Sequence, residues 1–335
     1  MELSVVPASA EETGSAGAAS SDRCPDVALF EVPVPEALRR FGDSVRASAV
    51  GDSQNPPIVV LGGISGDCFP CLRPDGSRGW WSGLTGPGVA IDPARFYVIG
   101  VDYAADVTGE AAPTTFDQAR VLASALDTIG IAEPVAIVGA SYGGMVALAL
   151  AEAEPERVAK LVIIGAAGEP HPAATAAREL QRRVVALGIE AGRGDEALAI
   201  ARGMAMLTYR TPQEFAVRFD GGIDEMHPTT ASHPGGYLRA RGQAFLSVMS
   251  PQRFLSLSAS IDRHRVHPER ITAPTLLIGA DSDQIAFPEQ MRALEKKLGG
   301  PSELHLIDSL FGHDMFLKEA ARVGRIAAPF ITAAP

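Results

Sequence analysis

The sequence predicts a doubly wound α/β domain: a mostly parallel central sheet, helices on both of its faces, and a helical segment inserted into the chain. Short Val- and Ile-rich runs recur without polar alternation, helical windows lie between them, and the regular alternation fails over one long internal stretch. The runs are PPIVVL at 56–61, RFYVIGVD at 95–102, PVAIVG at 134–139, KLVIIGA at 160–166 and PTLLIGA at 274–280, and ELHLID at 303–308 reads as a further strand. A strand covered by helices on both faces has no wet side, so it loses the period-2 pattern of a half-exposed strand. Helical windows at 115–130, 143–153 and 287–298 separate these runs, and right-handed crossovers then distribute the helices over both faces. Between about 170 and 268, ALAIARGMAMLTY and neighbouring stretches suggest several helices and no buried strand. The expected division is a disordered leader at 1–25, a first part of the core at 26–169, a helical lid at 170–268 and a second part of the core at 269–335.

With 335 residues and 46% hydrophobic composition, the chain can bury one large core with an inserted subdomain. A net charge of −11 and a pI near 5.1 argue against binding nucleic acid or an anionic membrane surface, both of which require clustered Lys and Arg. Small molecules are the expected partners. No segment approaches the ~20 apolar residues of a membrane span, and Glu2, Glu11 and Glu12 break any signal-peptide pattern, so a soluble, cytoplasmic protein is expected. Cys24, Cys68 and Cys71 are too few for a disulfide framework. The CxxC in DCFPC lacks the context of a redox helix or of further zinc ligands, and reads as two loop thiols.

The motif that carries chemistry is Gly139-Ala140-Ser141-Tyr142-Gly143, placed where PVAIVG ends and the helix GGMVALALAEAEP begins. This is the GxSxG nucleophile elbow, and with it the architecture becomes an α/β-hydrolase fold with a helical lid insertion. The turn is so tight that small residues are needed around the serine, which Gly139, Gly143 and Gly144 supply. Ser141 would sit at the N-terminus of a helix whose partial positive charge favours a developing anion.

A serine hydroxyl needs a base to become a nucleophile at neutral pH. Of seven histidines, His313 lies in SLFGHDMFL after the last strand, where the order Ser, acid, His requires it. His171, His227, His233, His264 and His267 fall in the inserted region and read as surface or lid residues; His305 alternates within a strand. The acid is expected on the loop after PTLLIGA, which offers Asp281 and Asp283, and spacing does not choose between them. An oxyanion hole needs two backbone N–H groups: one from Tyr142, and one from Ile64 or Gly63 in LGGISG at 61–66.

Beyond these elements, GWWSGLTGPGVAID at 79–92, GASYGGM at 139–145, ARGMAMLTYRTPQEF at 201–215, DSDQIAFP at 281–288 and FGHDMFL at 311–317 resemble the homoserine O-acyltransferases of methionine biosynthesis, across roughly 55–325. The GWW…GPG…ID block and the GHDxFL ending are more specific than GxSxG, since the hydrolase fold requires neither. The resemblance implies a ping-pong reaction in which Ser141 takes an acyl group from acyl-CoA and passes it to the side-chain hydroxyl of L-homoserine, with no cofactor beyond acyl-CoA as co-substrate. It implies Asp283 as the acid, Arg202 and Tyr209 beside the pocket, and Asp314 on the amino group of homoserine. It also implies a homodimer formed through the lid helices. Common members carry a histidine-containing oxyanion strand and a longer GS-x-GP segment, whereas this chain has LGGISG and the compact VDYAADVTGEAAP. The short form with GASYGGM leans to succinyl over acetyl, with Arg73 and Arg78 as candidates for a succinyl carboxylate. A plain esterase, a serine O-acyltransferase and a catalytically inert binding protein are the competing classes. Intact Ser141 and His313 argue against the last.

Overall fold

The structure, a computed structural model, describes residues 26–219 and 233–333. The expected leader, Cys24 and His227 lie outside the described residues. The five apolar runs and ELHLID form strands β3 (Pro57–Leu61), β4 (Tyr97–Val101), β5 (Val135–Ala140), β6 (Val158–Ile164), β7 (Thr275–Ala280) and β8 (Ser302–Ile307), all mutually parallel. Two further strands precede them, β1 (Val27–Pro33) and β2 (Ser44–Val50), giving one eight-stranded sheet in the order β1-β2-β4-β3-β5-β6-β7-β8. β2 runs antiparallel to both neighbours, with Val50 opposite Val98 and Ala47 opposite Val101. This pair has no apolar run to announce it. β2 reads SVRASAV and β1 has most of its residues at the surface, including Leu29 at 55% exposure.

Why the parallel runs lack alternation is visible in their packing. Val59, Leu61, Ile137, Leu161, Ile163 and Leu277 face one core, and Ile58, Val60, Val138, Val162, Ile164 and Leu276 face another on the opposite side of the sheet. From β3 to β7 both faces are covered, so nearly every position is apolar; β8, at the sheet edge, is only partly buried. The first core is closed by α1 (Thr115–Ile129) and α2 (Tyr142–Ala153); the second is closed by Trp81, Leu84 and the C-terminal helices α9 (Met315–Lys318) and α10 (Ala320–Thr332). α2 is buried continuously from Tyr142 to Ala151, as a helix apolar all round must be. α1 starts at a capping box in which Thr114 and Asp117 satisfy each other's backbone N–H groups.

Between β6 and β7 the chain leaves the sheet and forms five helices among the described residues: α3 (Pro172–Glu190), α4 (Gly194–Tyr209), α5 (Pro212–Arg218), α6 (His233–Phe245) and α7 (Pro251–Asp262). α4 packs on α3, α6 and α7. β7 then returns the chain to the sheet, and α8 (Pro288–Lys297) packs on the core through Met291 and Leu294. The insertion is tied internally by charge. Asp262 Oδ1 accepts from Thr175 Oγ1 at 2.9 Å and Arg178 Nε at 2.8 Å, while its Oδ2 accepts from Arg182 Nη1 at 2.7 Å.

His264, at the end of this insertion, is buried and not a surface residue. Its ring bridges Thr115 Oγ1 (2.9 Å) and the Ala167 carbonyl (3.1 Å), and burial pulls its pKa down to about 4. Cys68 and Cys71 are buried too. Burial, with Asp102 adding to it, pushes the Cys68 thiol up to about 12, which removes it as a nucleophile.

Candidate active site

β5 ends and α2 begins at Ser141, which has φ 53° and is the one non-glycine residue with positive φ among the described residues. Its N–H donates to the Ile164 carbonyl at 2.8 Å, tying the elbow to β6. A Cβ at Gly139 would lie 2.5 Å from the Gly143 carbonyl oxygen, and one at Gly143 would lie 2.5 Å from the Leu61 backbone. The glycines of the motif are therefore a packing requirement of the turn.

The loops after β7 and β8 bring two side chains to the serine. His313 Nε2 lies 2.9 Å from Ser141 Oγ, and His313 Nδ1 lies 2.8 Å from Asp283 Oδ2. Asp283 is fixed in turn, since its Oδ1 accepts from the Ile285 and Ala286 N–H groups at 2.7 and 3.1 Å. Asp281, the other carboxylate on that loop, is exposed and faces the Ser309 N–H instead. Burial opposes protonation of His313, but the charge and hydrogen bond of Asp283, helped by Asp314, outweigh it and raise its pKa above the usual 6.5. The other histidines are engaged elsewhere. His171 caps α3 and lies against Phe287, His267 meets Glu152, and His305 meets Glu303. His233 opens α6.

The loop after β3 is held against the elbow by one carbonyl. Gly62 O accepts from the Gly143 N–H at 2.9 Å and from Tyr103 Oη at 2.7 Å. Gly63 and Ile64 thereby line a cavity with Ser141 and His313. The Tyr142 side chain points away from that cavity: it is buried, with its hydroxyl 2.6 Å from Ser260 Oγ and its ring edge-on to Tyr103. Only its backbone N–H, in the first turn of α2, is available to the site. Tyr103 was not singled out by sequence reasoning. Its signal is the compact segment VDYAADVTGEAAP, which departs from the longer form.

The GWW block also acts on the site. Trp81, 1% exposed, donates its indole N–H to the Phe316 carbonyl at 2.9 Å, three residues beyond His313, and Trp80 stacks on it while lining the cavity.

Arg202, Tyr209 and Asp314 line the same cavity as Ile64 and Ser141. The Arg202 guanidinium lies over the Tyr209 and Phe245 rings at 5.3 and 4.7 Å, and the Tyr209 ring centre is 5.7 Å from that of His313. Asp314 is not isolated. Its Oδ2 accepts from Arg210 Nε at 2.7 Å, and Arg210 Nη1 donates to Glu214 Oε1 at 2.6 Å, all three being buried. Arg210 and Glu214 are further residues that sequence reasoning passed over, although their i,i+4 spacing beside the TY pair is a readable sign. Arg73 and Arg78 do not reach Ser141. Arg73 pairs with Asp67 at 2.8 Å in a separate groove and Arg78 is exposed.

A second, narrower cavity also opens on Ser141 and His313, under α3, and is lined by Arg178, Gln181, Tyr209 and Gln290 among others. The serine thus stands where two cavities meet. An activated hydroxyl, a buried base and two flanking compartments equip the site for acyl transfer between two bound partners.

The family described as the alpha/beta hydrolase fold matches residues 56–320. A homoserine O-succinyltransferase from Xanthomonas campestris pv. campestris is 37% identical, over 92% of this chain and 85% of that protein. A homoserine O-acetyltransferase from Thermus thermophilus is 33% identical, over 78% of this chain and 74% of that protein. The crystal structure of a homoserine O-acetyltransferase from Bacillus anthracis shares the fold, with a TM-score of 0.78 at 16% identity over 92% of this chain and 98% of that one. The sheet order, the elbow at Ser141 and relatives matched over most of their length lead to one conclusion: this chain belongs to the homoserine O-acyltransferase family of α/β hydrolases.

Proposed function

We propose that the protein transfers an acyl group from acyl-CoA to the hydroxyl of L-homoserine through an acyl-enzyme on Ser141, a step of methionine biosynthesis. The observation that carries this reading is the hydrogen-bonded series Ser141–His313–Asp283 set between two cavities, one of them carrying a cation and an anion, Arg202 and Asp314. In the first half-reaction Ser141 Oγ attacks the thioester carbonyl while His313 Nε2 takes its proton. The C–S bond then breaks and the imidazolium returns the proton to the departing CoA sulfur. In the second half-reaction His313 takes the proton of the homoserine hydroxyl, whose oxygen attacks the ester. Ser141 leaves and regains its proton.

Asp283 orients the imidazole and stabilises its charged form. The N–H groups of Tyr142 and Ile64 receive the oxyanion of each tetrahedral intermediate. Arg202 takes the carboxylate of homoserine, Tyr209 closes the wall beside His313, and Asp314 takes the amino group while Arg210 holds its other side. No cofactor enters these steps beyond acyl-CoA as co-substrate. Residues 170–268 serve as the lid that keeps water from the acyl-enzyme.

Leu180 and Leu187 on α3, and Ile200 and Leu207 on α4, are more than half exposed and spaced seven apart, an apolar stripe that supports a homodimer through the lid. Sedimentation of Leu187→Asp should then give a monomer. No described helix is long and apolar enough to cross a membrane, and use of acyl-CoA supports a cytoplasmic location.

The test is CoA release from acetyl-CoA or succinyl-CoA, with L-homoserine, L-serine or no acceptor, beside Ser141→Ala. Release that requires homoserine and vanishes in the variant supports the transferase. Equal release without acceptor would leave an esterase, and release driven better by serine would change the acceptor.

A further inference from the structure

Two backbone N–H groups must meet one oxygen in each tetrahedral intermediate, and they come from separate parts of the chain. Tyr142 belongs to the elbow, whereas Ile64 sits on the glycine-rich loop LGGISG, which has little side chain of its own to fix it. Donors of this kind accelerate a reaction only if they are held in place beforehand, because the gain comes from not having to reorganise. A group outside the loop must therefore set its position.

Tyr103 is such a group. It follows β4, is 4% exposed, and donates its hydroxyl to the Gly62 carbonyl at 2.7 Å, two residues before Ile64. The same carbonyl accepts from the Gly143 N–H at 2.9 Å, one residue beyond Tyr142. One oxygen thus joins the two segments that carry the donors, and Tyr103 completes the junction. Its ring adds a second tie, edge-on to the Tyr142 ring with centres 4.8 Å apart. Burial pushes the phenol pKa up, so the hydroxyl stays protonated and able to donate.

Tyr103 is itself held. Its carbonyl accepts from Arg253 Nη2 at 3.0 Å, and the Gln118 side chain binds both backbone groups of the next residue, Ala104, at 3.1 and 2.7 Å. Trp80 backs the loop: a Cβ at Gly62 would lie 2.7 Å from its ring, and its indole N–H donates to the Asp67 carbonyl at 2.9 Å. Among the described residues, the Tyr103 hydroxyl is the side-chain group bonded to the backbone beside Ile64.

We propose that Tyr103 is a positioning residue of acyl transfer: through the Gly62 carbonyl, its hydroxyl sets the Ile64 N–H where that group and the Tyr142 N–H converge on one oxyanion. The hydroxyl touches no substrate and exchanges no proton. Without it Gly62 is bonded to Gly143 alone, and the loop carrying Ile64 gains freedom that each tetrahedral intermediate must then remove. The assignment rests on the acyl-enzyme reading above.

The test is Tyr103→Phe, which keeps the ring and removes the hydroxyl. Single-turnover acylation of Ser141 is measured with succinyl-CoA and with p-nitrophenyl acetate. The affinity of n-butylboronic acid is measured beside it, because its adduct on Ser141 places an oxygen in the oxyanion site. Homoserine affinity is measured by calorimetry in the Ser141→Ala background. Acylation by both donors and boronic-acid affinity should fall together, on the order of 10- to 100-fold, with homoserine affinity within about twofold of that with Tyr103 intact. The acid limb of the pH profile should stay in place, because the hydroxyl acts on the loop and not on His313. An unchanged acylation rate overturns the assignment, and so does a shift of the acid limb. A loss of homoserine affinity by the same factor also overturns it, since the variant has then disturbed the pocket as a whole. If Tyr103→Phe does not fold, Gln118→Met, which releases the backbone beside Tyr103, is read in the same way with a smaller fall expected. Should homoserine-dependent turnover be absent from the wild type, the transferase reading fails, while acylation by p-nitrophenyl acetate and boronic-acid binding still decide the role of Tyr103.

Discussion

The elbow that carries Ser141 and the helical insertion above it are held together by different forces. Around the elbow the contacts are backbone on backbone: Gly139 against Gly143, Gly143 against Leu61, and the Ser141 N–H on the Ile164 carbonyl. In the insertion, apolar packing through Val185, Leu198 and Leu257 is joined by buried and half-buried charges, Arg178 and Arg182 on Asp262, and Arg210 between Asp314 and Glu214. Backbone packing fixes where the reactive oxygen sits and leaves little to vary. Charged side chains on helices can be exchanged one at a time, so the insertion is where selectivity for the two partners can be set without disturbing the chemistry. The same division explains why Asp314 belongs to both regions. It follows His313 on the core, yet its partner Arg210 comes from the insertion.

Changes in the core should therefore strike the rate, and changes in the insertion should strike stability or selectivity. Ser141→Ala should lower kcat on the order of 10,000-fold or more with no change in melting temperature. Asp283→Asn should cost on the order of 1,000- to 10,000-fold, because the imidazole loses both its tautomer and its counter-charge. The pH profile of kcat/KM offers a sharper reading of the same pair. His313 must be neutral to take a proton and its pKa is raised, so the acid limb should lie above pH 6.5 in the wild type. In Asp283→Asn it should move down, since only Asp314 is then left to oppose burial.

Breaking the insertion should look different. Arg210→Met leaves Asp314 and Glu214 as buried carboxylates without their shared cation, and should destabilise the fold by about 3–5 kcal/mol, read as a fall in melting temperature. A smaller stability term comes from His264. Its folded pKa of about 4 lies below its ordinary 6.5, so the unfolded chain binds the proton first as pH falls. Stability from this group is therefore complete above pH 6.5 and is lost between there and pH 4, on the order of 3 kcal/mol in all. His313 adds no slope in that window, because its raised pKa leaves it protonated in both states; its own contribution is lost only as pH rises through that value. Denaturation curves of His264→Gln should be flatter over the same pH range. The smallest effect is expected at Arg202, where Met should raise KM for homoserine by about 10- to 100-fold with little change in stability.

What was legible in the sequence follows the same line. Strands β3–β7 announced themselves because both faces are buried, the edge strand β8 because it follows them in the alternation, and the elbow because its glycines are forced by contact. β1 and β2 were missed because an edge strand with exposed residues, paired to a strand of Ala and Ser, carries no apolar run. At the site, spacing left Asp281 and Asp283 equal; which of them meets His313 is decided by the turn that points one carboxylate inward and the other to solvent. Tyr103, Arg178 and Arg210 were passed over for a related reason, although the segment around Tyr103 and the Arg210–Glu214 spacing are readable signs. Each acts through a partner at least 41 residues away, at Gly62, Asp262 and Asp314, and nothing local marks the pairing. Arg73 and Arg78 were candidates for a succinyl carboxylate by residue type, but Arg73 pairs with Asp67 in a separate groove and Arg78 is exposed.

The most direct test of the account is to mix the enzyme with succinyl-CoA, quench, and weigh the peptide containing Ser141 before and after a chase with L-homoserine. The account predicts a succinyl adduct on Ser141 that forms without acceptor, persists in water over the time of a turnover, and disappears when homoserine is added, with O-succinylhomoserine formed in equal amount. Turnover without any adduct on Ser141, or an adduct that water clears as fast as homoserine does, would contradict it.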